Sequence, residues 1–187
     1  MQRRHIITAL LLLSGALLLG QGFYMQAKAQ LAQVLIARSW QQNQQGNTGT
    51  KPWPWADIHP VAKLSVPRLQ LNQYIMQDTS GEALAFGAGM LPQGGQPGGS
   101  GHSLLAGHRD SHFAFLQQLR PGDEIDIENR HGQQQRYRIS QTRVVDSRHS
   151  DFYFDPHAHR LTLITCYPFD ALTPGGPLRY VVQAEAV

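Results

Sequence analysis

Hydrophobic positions divide the chain into two very different parts. Residues 6–19 contain no charged side chain, and the apolar character continues to Met25. From about residue 60 onward, apolar residues come in short runs separated by glycines and prolines, and they alternate with polar residues at Ile125 and Ile127. Alternation at every second position indicates a strand with one buried face. The pattern therefore predicts an N-terminal helix followed by a domain built mainly of short strands.

Several segments of this domain are predicted to be strands, and two serines are predicted to cap short helices. Serine commonly accepts a hydrogen bond at a helix N-terminus, so we expect one helix from Ser80 through Phe86 and another from Ser111 through Leu119. Residues 129–132 are predicted to form a hairpin turn. Many strands with only short helices favour a closed or nearly closed barrel, which also removes exposed sheet edges. The predicted strands are 62–66, 70–76, 103–106, 124–128, 134–145, 160–165 and 179–184.

The N-terminal apolar stretch predicts transfer of the following domain across a membrane. Arg3 and Arg4 precede it, and positive charge ahead of an apolar run keeps that end cytoplasmic. Counted to Met25, the stretch is about 20 residues, enough to span roughly 30 Å of hydrocarbon. Ala27-Lys28-Ala29 is an alternative signal-peptidase site. Because this tripeptide lies far from the leucine run, we expect an uncleaved, single-pass anchor in the cytoplasmic (inner) membrane, with the domain on its exoplasmic side.

The chain accordingly divides into three predicted regions. Residues 1–25 are the anchor. Residues 26–52 combine a glutamine-rich juxtamembrane helix, ending at Gly46, with a linker rich in glycine and proline. Residues 53–187 form the folded domain.

Charge and cysteine content exclude several classes of function. The net charge is only +3, and the basic residues are scattered without interleaved aromatics, so no nucleic-acid partner is predicted. A single cysteine excludes an intramolecular disulfide and a zinc site built on a cysteine cluster. We find no loop dense in oxygen ligands for calcium, and we predict no cofactor. The thiol is therefore either a small buried hydrophobe or a nucleophile.

Three reactive residues lie at predicted strand ends. Cys166 ends the run TLITC, and Arg179 begins the next strand, so antiparallel pairing of the two strands would make them neighbours. His108 follows the strand that ends in LLAG. A nucleophilic thiol needs a nearby base or cation, and a histidine can also protonate a leaving amine. An arginine can donate hydrogen bonds to the oxyanion of a tetrahedral intermediate.

This combination resembles the sortases, the cysteine transpeptidases of bacterial surfaces. The motifs are TLITC at Cys166, GHR at His108, and LRY at Arg179, which follows the cysteine by 13 positions. The resemblance implies an eight-stranded β-barrel over residues 53–187. It also implies cleavage of an LPXTG-like sorting signal between Thr and Gly through a thioacyl enzyme, which an amine acceptor then resolves. The stretches WPWAD and LAGHRDSHF look most like the sortases of Gram-negative bacteria.

The resemblance also implies roles for individual residues. Cys166 would be the nucleophile, His108 the acid and base, and Arg179 the donor to the oxyanion or substrate. Thr165 would help to shape the pocket. His102 stands where related sequences often have asparagine. The chain has no C-terminal hydrophobic segment, which favours housekeeping anchoring over pilus assembly. The loop expected to hold the sorting peptide carries the aromatic residues Phe152, Tyr153 and Phe154.

Two alternatives belong to other functional classes. His108 and His112 are spaced i, i+4 and, with Cys166, could imitate the ligands of a zinc hydrolase. Against this, Gly107 and the expected Ser111 cap place His108 before the helix. The other alternative is an anchored, non-catalytic binding module with an inert cysteine. A thiol reagent should inactivate a transpeptidase, a chelator should inactivate a zinc hydrolase, and a binding module should respond to neither.

Overall fold

The computed structural model describes residues 2–47, 49–149, 155–173 and 175–187, without the side chains of residues 2, 3 and 9. The chain forms two compact units, Met1–Leu35 and Ile36–Val187.

A single long helix, α1 (Gln2–Gln44), begins in the first unit. Among the described residues, the segment Arg4–Gln44 of this helix is long and apolar enough to cross a membrane, with a mean hydropathy of 2.0 in its most apolar window. None of that window is buried within the protein. Length and composition are therefore compatible with a membrane anchor and equally with a signal sequence.

Eight strands form the sheet of the second unit. Their bounds are β1 (Pro60–Val66), β2 (Leu71–Met76), β3 (Ala88–Met90), β4 (His102–Ala106), β5 (Glu124–Asn129), β6 (Gln134–Asp146), β7 (Arg160–Cys166) and β8 (Leu178–Ala186). In the order β1-β2-β3-β4-β7-β8-β6-β5 they close into a barrel, which confirms the predicted fold class. The pairs β2/β3 and β4/β7 are parallel, and the other neighbouring pairs are antiparallel.

The inner faces of the strands meet in one hydrophobic core. Ile125 and Ile127 of β5 are fully buried, as their alternation predicts, and Tyr137 and Ile139 of β6 follow the same rule. The β5–β6 hairpin is also confirmed, because the amide of Gly132 donates to the carbonyl of Asn129 at 2.9 Å. A short helix, α2 (Gly81–Phe86), lies between β2 and β3.

Local hydrogen bonding confirms one predicted cap and contradicts the other. The hydroxyl of Ser80 accepts from the amide of Ala83 at 3.2 Å and so caps α2. Ser111 caps nothing, because the chain turns through backbone hydrogen bonds and forms only a 3₁₀ helix, Ala114–Gln118, that starts after Phe113 without a side-chain cap. The predicted Ser111 cap is therefore wrong, and the short helix predicted from Ser111 through Leu119 is a 3₁₀ helix limited to Ala114–Gln118.

Two strand predictions also need correction. Strand β3 was not predicted, because three residues are too few to show a hydrophobic period. Strand β2 begins at Leu71 rather than Gln70, because Pro67 starts a 3₁₀ turn that ends with Gln70 at a φ of 50°. That left-handed conformation takes Gln70 out of the extended strand.

A second, smaller core cluster involves the last turns of α1. Ile36 is fully buried and packs with Ala56, Ile58, Met76 and Ala83. Trp40 is 3% exposed, and its ring centroid lies 6.2 Å from that of Tyr74. Asn43 accepts a hydrogen bond from the amide of Thr50 at 2.8 Å. Residues 36–44 therefore belong to the same packed unit as the barrel.

Replacement of Ile36 by alanine should destabilise this unit. A buried isoleucine truncated to alanine costs about 2 to 5 kcal/mol, because the lost contacts leave a cavity. We expect the melting temperature of the full chain in detergent, followed by tryptophan fluorescence, to fall by about 5 to 15 °C. Val144→Ala is the matched control, because Val144 is exposed. Equal melting temperatures for the two variants would contradict the packing assigned to Ile36.

Candidate active site

Cys166 and Arg179 lie directly opposite each other on β7 and β8. The next pair along the ladder, Tyr167 and Leu178, is joined by a hydrogen bond of 3.0 Å from the Tyr167 amide to the Leu178 carbonyl. Hydrogen-bonded and non-hydrogen-bonded pairs alternate in antiparallel sheets, so Cys166 and Arg179 form a non-hydrogen-bonded pair. Side chains of such pairs are the closer of the two kinds. The antiparallel neighbourhood predicted for these residues is confirmed.

His108 follows the strand that pairs with the other edge of β7. Strands β4 and β7 are parallel, with Ala106 level with Ile164. The backbone contact extends to Gly107, whose amide donates to the Ile164 carbonyl at 3.2 Å. His108 is the next residue, at the start of the loop after β4. The chain therefore brings His108 to the edge of β7 opposite to the one on which Arg179 lies.

The three side chains differ in exposure. Cys166 is half-buried at the end of β7, and His108 is exposed. Arg179 is half-buried, and its Nη1 donates to the carbonyls of Gly176 at 2.7 Å and Leu178 at 2.9 Å. The thiol is therefore accessible rather than sealed in the core.

A cavity of about 380 Å³ lies on the outer face of the sheet, and of the three residues only Arg179 lines it. Its apolar lining includes Leu104, Ala106 and Ile164, with Arg179 at one end. Residues that alternate with these, such as Leu163, belong to the core, so the cavity lies on the opposite face of β4 and β7. The outer face next to the thiol is thus concave and mainly apolar.

Polar side chains form the other end of the cavity. His102 is 1% exposed, and its Nε2 lies 2.8 Å from Oγ1 of Thr162. Burial lowers the pKa of His102, as does the charge of Arg160, although Glu185 acts in the opposite direction. Neutral imidazole is therefore favoured at this position. His102, which stands where related sequences often have asparagine, therefore lines the cavity and pairs with Arg160 rather than lying beside Cys166.

Comparison with known families is decisive. A sequence profile of the sortase domain matches residues 64–187. The chain belongs to the sortase family.

Individual sortases support the assignment. Sortase D of Bacillus subtilis (strain 168) is 29% identical over 125 residues, which cover 66% of this chain and 62% of that protein. Sortase A of Listeria monocytogenes serovar 1/2a is 29% identical over 113 residues, covering 57% and 49%. The chain therefore spans less than two thirds of the length of these curated relatives. Sortase A from Corynebacterium diphtheriae superimposes with a TM-score of 0.62 at 27% identity, over 71% of this chain and 63% of that one. These relatives do not support the expected Gram-negative subtype.

The loop that carries His108 in this sortase domain is tightly folded. The amide of Phe113 donates to the His108 carbonyl at 2.9 Å, and the fully buried Phe113 ring packs against Gly107. His112 forms a hydrogen bond with the backbone of Ala85; burial lowers the pKa of His112. Within the described residues, no group of three or more His, Cys, Asp or Glu side chains could hold a metal ion. The zinc set of His108, His112 and Cys166 is therefore not assembled.

The sequence also predicted substrate-binding roles for Thr165 and for three aromatic residues. Thr165 is buried on the inner face of β7, and its Oγ1 donates to the Gly107 carbonyl at 2.7 Å, so it contacts the loop of His108 rather than the outer cavity. The predicted peptide-holding aromatics, Phe152, Tyr153 and Phe154, lie outside the described residues.

Sequence reasoning missed Arg109. Its Nη2 donates to the carbonyls of Ala171 and Thr173, in the loop between β7 and β8. The GHR motif contains this arginine, but no pattern in the sequence identifies backbone carbonyls 62 and 64 residues away as its partners.

Gly107→Ala should displace the His108 loop of the sortase domain. A Cβ at this position would lie 2.8 Å from Cγ of Phe113, a distance at which the ring or the loop must shift. We expect an altered alkylation rate of Cys166 and a lower melting temperature in the full chain. The additional substitution Phe113→Leu should partly reverse both the change in alkylation rate and the fall in melting temperature, because it removes the opposing ring atoms. Gly81→Ala is the control, since a Cβ there meets no atom within 4 Å. If Gly107→Ala behaves like this control, the loop does not depend on close packing.

Proposed function

We propose that this chain is a membrane-anchored cysteine transpeptidase that cleaves an LPXTG-like sorting signal between Thr and Gly. Residues 1–25 would form the anchor, and residues 53–187 would be the catalytic domain on the exoplasmic side of the cytoplasmic membrane. The observation that carries the proposal is the pairing of Cys166 with Arg179, which lines one end of a concave apolar groove. His108, in the loop after β4, is proposed to complete the site from the other edge of β7. Membership of the sortase family supports the same activity.

The groove fits an extended pentapeptide in length. The row containing Thr162 and Gln183 lies four residues along the strands from the row of Cys166 and Arg179, a separation of about 13 Å at 3.3 Å per residue. An extended peptide advances about 3.3 Å per residue, so four or five substrate residues match this distance. Leu104, Ala106 and Ile164 supply apolar surface for the leucine and proline of such a signal.

Cleavage proceeds through acyl transfer to sulfur. The thiolate of Cys166 attacks the carbonyl carbon of the substrate threonine, which forms a C–S bond and places negative charge on the carbonyl oxygen. Nη1 of Arg179 is held by two backbone carbonyls, so we assign its Nε and Nη2 donors to that oxygen. The oxyanion then collapses, the C–N bond breaks, and His108 donates a proton to the departing glycine amine.

The second half of the reaction releases the acylated product. An incoming amine attacks the thioester carbon while His108 accepts its proton. The C–S bond breaks, and the thiolate of Cys166 is restored. Water in place of the amine gives hydrolysis. Phe152, Tyr153 and Phe154 are proposed to cover the bound peptide. Thr165 is proposed to act indirectly, through its hydrogen bond to the loop of His108.

The full chain in detergent, mixed with an LPXTG peptide and hydroxylamine, should form the threonine hydroxamate. Intact-mass spectrometry without hydroxylamine should show an acyl adduct on Cys166, the only cysteine of the chain. Cys166→Ala should abolish both products, because no other thiol can form the thioester. Chelators should leave the rate unchanged, whereas a zinc hydrolase would be inactivated. If a panel of related pentapeptides gives neither hydroxamate nor adduct, the chain is not a transpeptidase of this kind.

Arg179→Lys should lower kcat about 100- to 1000-fold, with a smaller effect on KM. Loss of one oxyanion donor has this magnitude, and a lysine cannot keep the two backbone hydrogen bonds while also presenting the remaining planar donors. Steady-state hydroxamate formation measures the effect, and Arg130→Lys, in the β5–β6 hairpin turn outside the groove, is the matched control. Equal kcat values for the two variants would contradict the role given to Arg179.

A further inference from the structure

We infer that Arg109 is a positioning residue, which fixes His108 relative to the loop that follows Cys166. The inference rests on the proposed pairing of His108 with Cys166, and it adds a residue that holds this pair in place. Arg109 itself is not assigned a contact with substrate.

The neighbours of His108 are tied to both sides of Cys166. On one side, Gly107 is held by β7, through its amide to the Ile164 carbonyl at 3.2 Å and through its carbonyl to Oγ1 of Thr165 at 2.7 Å. On the other side, Arg109 is held by the loop after β7. Its Nη2 donates to the Ala171 carbonyl at 3.0 Å and to the Thr173 carbonyl at 2.9 Å. These four hydrogen bonds bracket His108 in the chain.

Other contacts hold the described parts of the β7–β8 loop on either side of the Arg109 contact. Phe169 packs against the core, and the amide and hydroxyl of Ser147 both donate to the Pro177 carbonyl. Between these two points, Leu172 is fully exposed. The two hydrogen bonds from Arg109 therefore hold the carbonyls on either side of a residue whose own side chain contributes no burial.

The same loop ends at Arg179. The Gly176 carbonyl accepts from Nη1 of Arg179 at 2.7 Å, so the loop is bound near its middle by Arg109 and at its end by Arg179. A shift of the loop would move the backbone groups that orient the Arg179 guanidinium. Arg109 is thus placed to set the positions of His108 and Arg179 together.

The guanidinium of Arg109 suits this contact, because its Nη2 carries two N–H groups and can donate to two carbonyls. Both carbonyls converge on Nη2, and hydrogen bonds from a charged donor are roughly twice as strong as neutral ones. A glutamine at this position is shorter and neutral. A lysine keeps the charge, and its ammonium also offers donors to both oxygens. Arg109→Lys should therefore rescue much of what Arg109→Gln loses.

The test combines two measurements on the full chain in detergent. The first is the rate of Cys166 alkylation by iodoacetamide as a function of pH, which needs no sorting peptide. The second is kcat and KM for hydroxamate formation from the LPXTG peptide. The variants are Arg109→Gln, Arg109→Lys, His108→Ala as the reference for a lost partner, and Arg130→Gln. Arg130 lies in the β5–β6 hairpin turn and serves as the matched control.

The positioning role predicts a specific pattern. Arg109→Gln should shift the pH profile of alkylation towards that of His108→Ala and should lower kcat at least tenfold, since misplacement of a catalytic group by about 1 Å can cost 100-fold. KM should change less than threefold. Arg109→Lys should stay within about threefold of the wild-type kcat, and Arg130→Gln should match the wild type in both measurements.

Three outcomes would overturn the inference, and the measurements distinguish them. If His108→Ala changes the alkylation profile but Arg109→Gln matches the wild type, the positioning role is overturned and the proposed catalytic pair stands. If His108→Ala itself leaves the profile unchanged, the proposed pair is wrong, and the inference falls with it. If Arg109→Gln and Arg109→Lys lower kcat equally and both lower the melting temperature, Arg109 contributes only to the general stability of the domain. This result would also overturn the inference.

Discussion

The pairing of β7 on both of its edges is the constraint on which the rest of the site depends. Strand β7 is parallel to β4 and antiparallel to β8. Its last residue, Cys166, pairs with Arg179 at the start of β8, and the loop that begins with His108 follows β4 on the other edge. Strand registers are held by many backbone hydrogen bonds, and a slip by one residue would turn every side chain to the opposite face. The Cys166–Arg179 pair is therefore fixed by the sheet, whereas His108 depends on the contacts of its loop.

The two faces of β7 carry different functions, and alternation keeps them separate. Leu161 and Leu163 face the core, while Ile164 faces the outer cavity. Thr165 also faces inwards, although it is polar. Its hydroxyl donates a hydrogen bond to the carbonyl of Gly107. The inner face thus contacts the loop of His108, and the opposite face forms the apolar part of the outer cavity.

Contacts between segments that are distant in sequence hold the parts of the domain outside the strands. Residues 36–44 of α1 pack on a cluster that includes Ile58 and Met76, so the second unit begins well before the first strand. Arg109 binds carbonyls in the loop between β7 and β8, and Arg68 forms a bidentate pair with Asp123 that joins the turn after β1 to the start of β5. The Arg68 guanidinium lowers the pKa of the Asp123 carboxyl, which keeps this carboxyl ionised. These contacts join segments that lie outside the strands to one another or to the packed unit around the barrel.

The amino-acid sequence alone determined the strand-rich class, most strand positions, the hairpin after Asn129, and the strand-end positions of Cys166, His108 and Arg179. These features follow from hydrophobic period, turn residues and motif spacing, which are local properties. Only the tertiary structure decided that Thr165 faces the core and that Arg109 binds the following loop. It also placed Ile36 in the packed unit and shortened the predicted Ser111 helix to a 3₁₀ helix over Ala114–Gln118. The contacts of Ile36, Thr165 and Arg109 join groups that are 20 to 64 residues apart in the chain, and a local sequence pattern does not identify such partners.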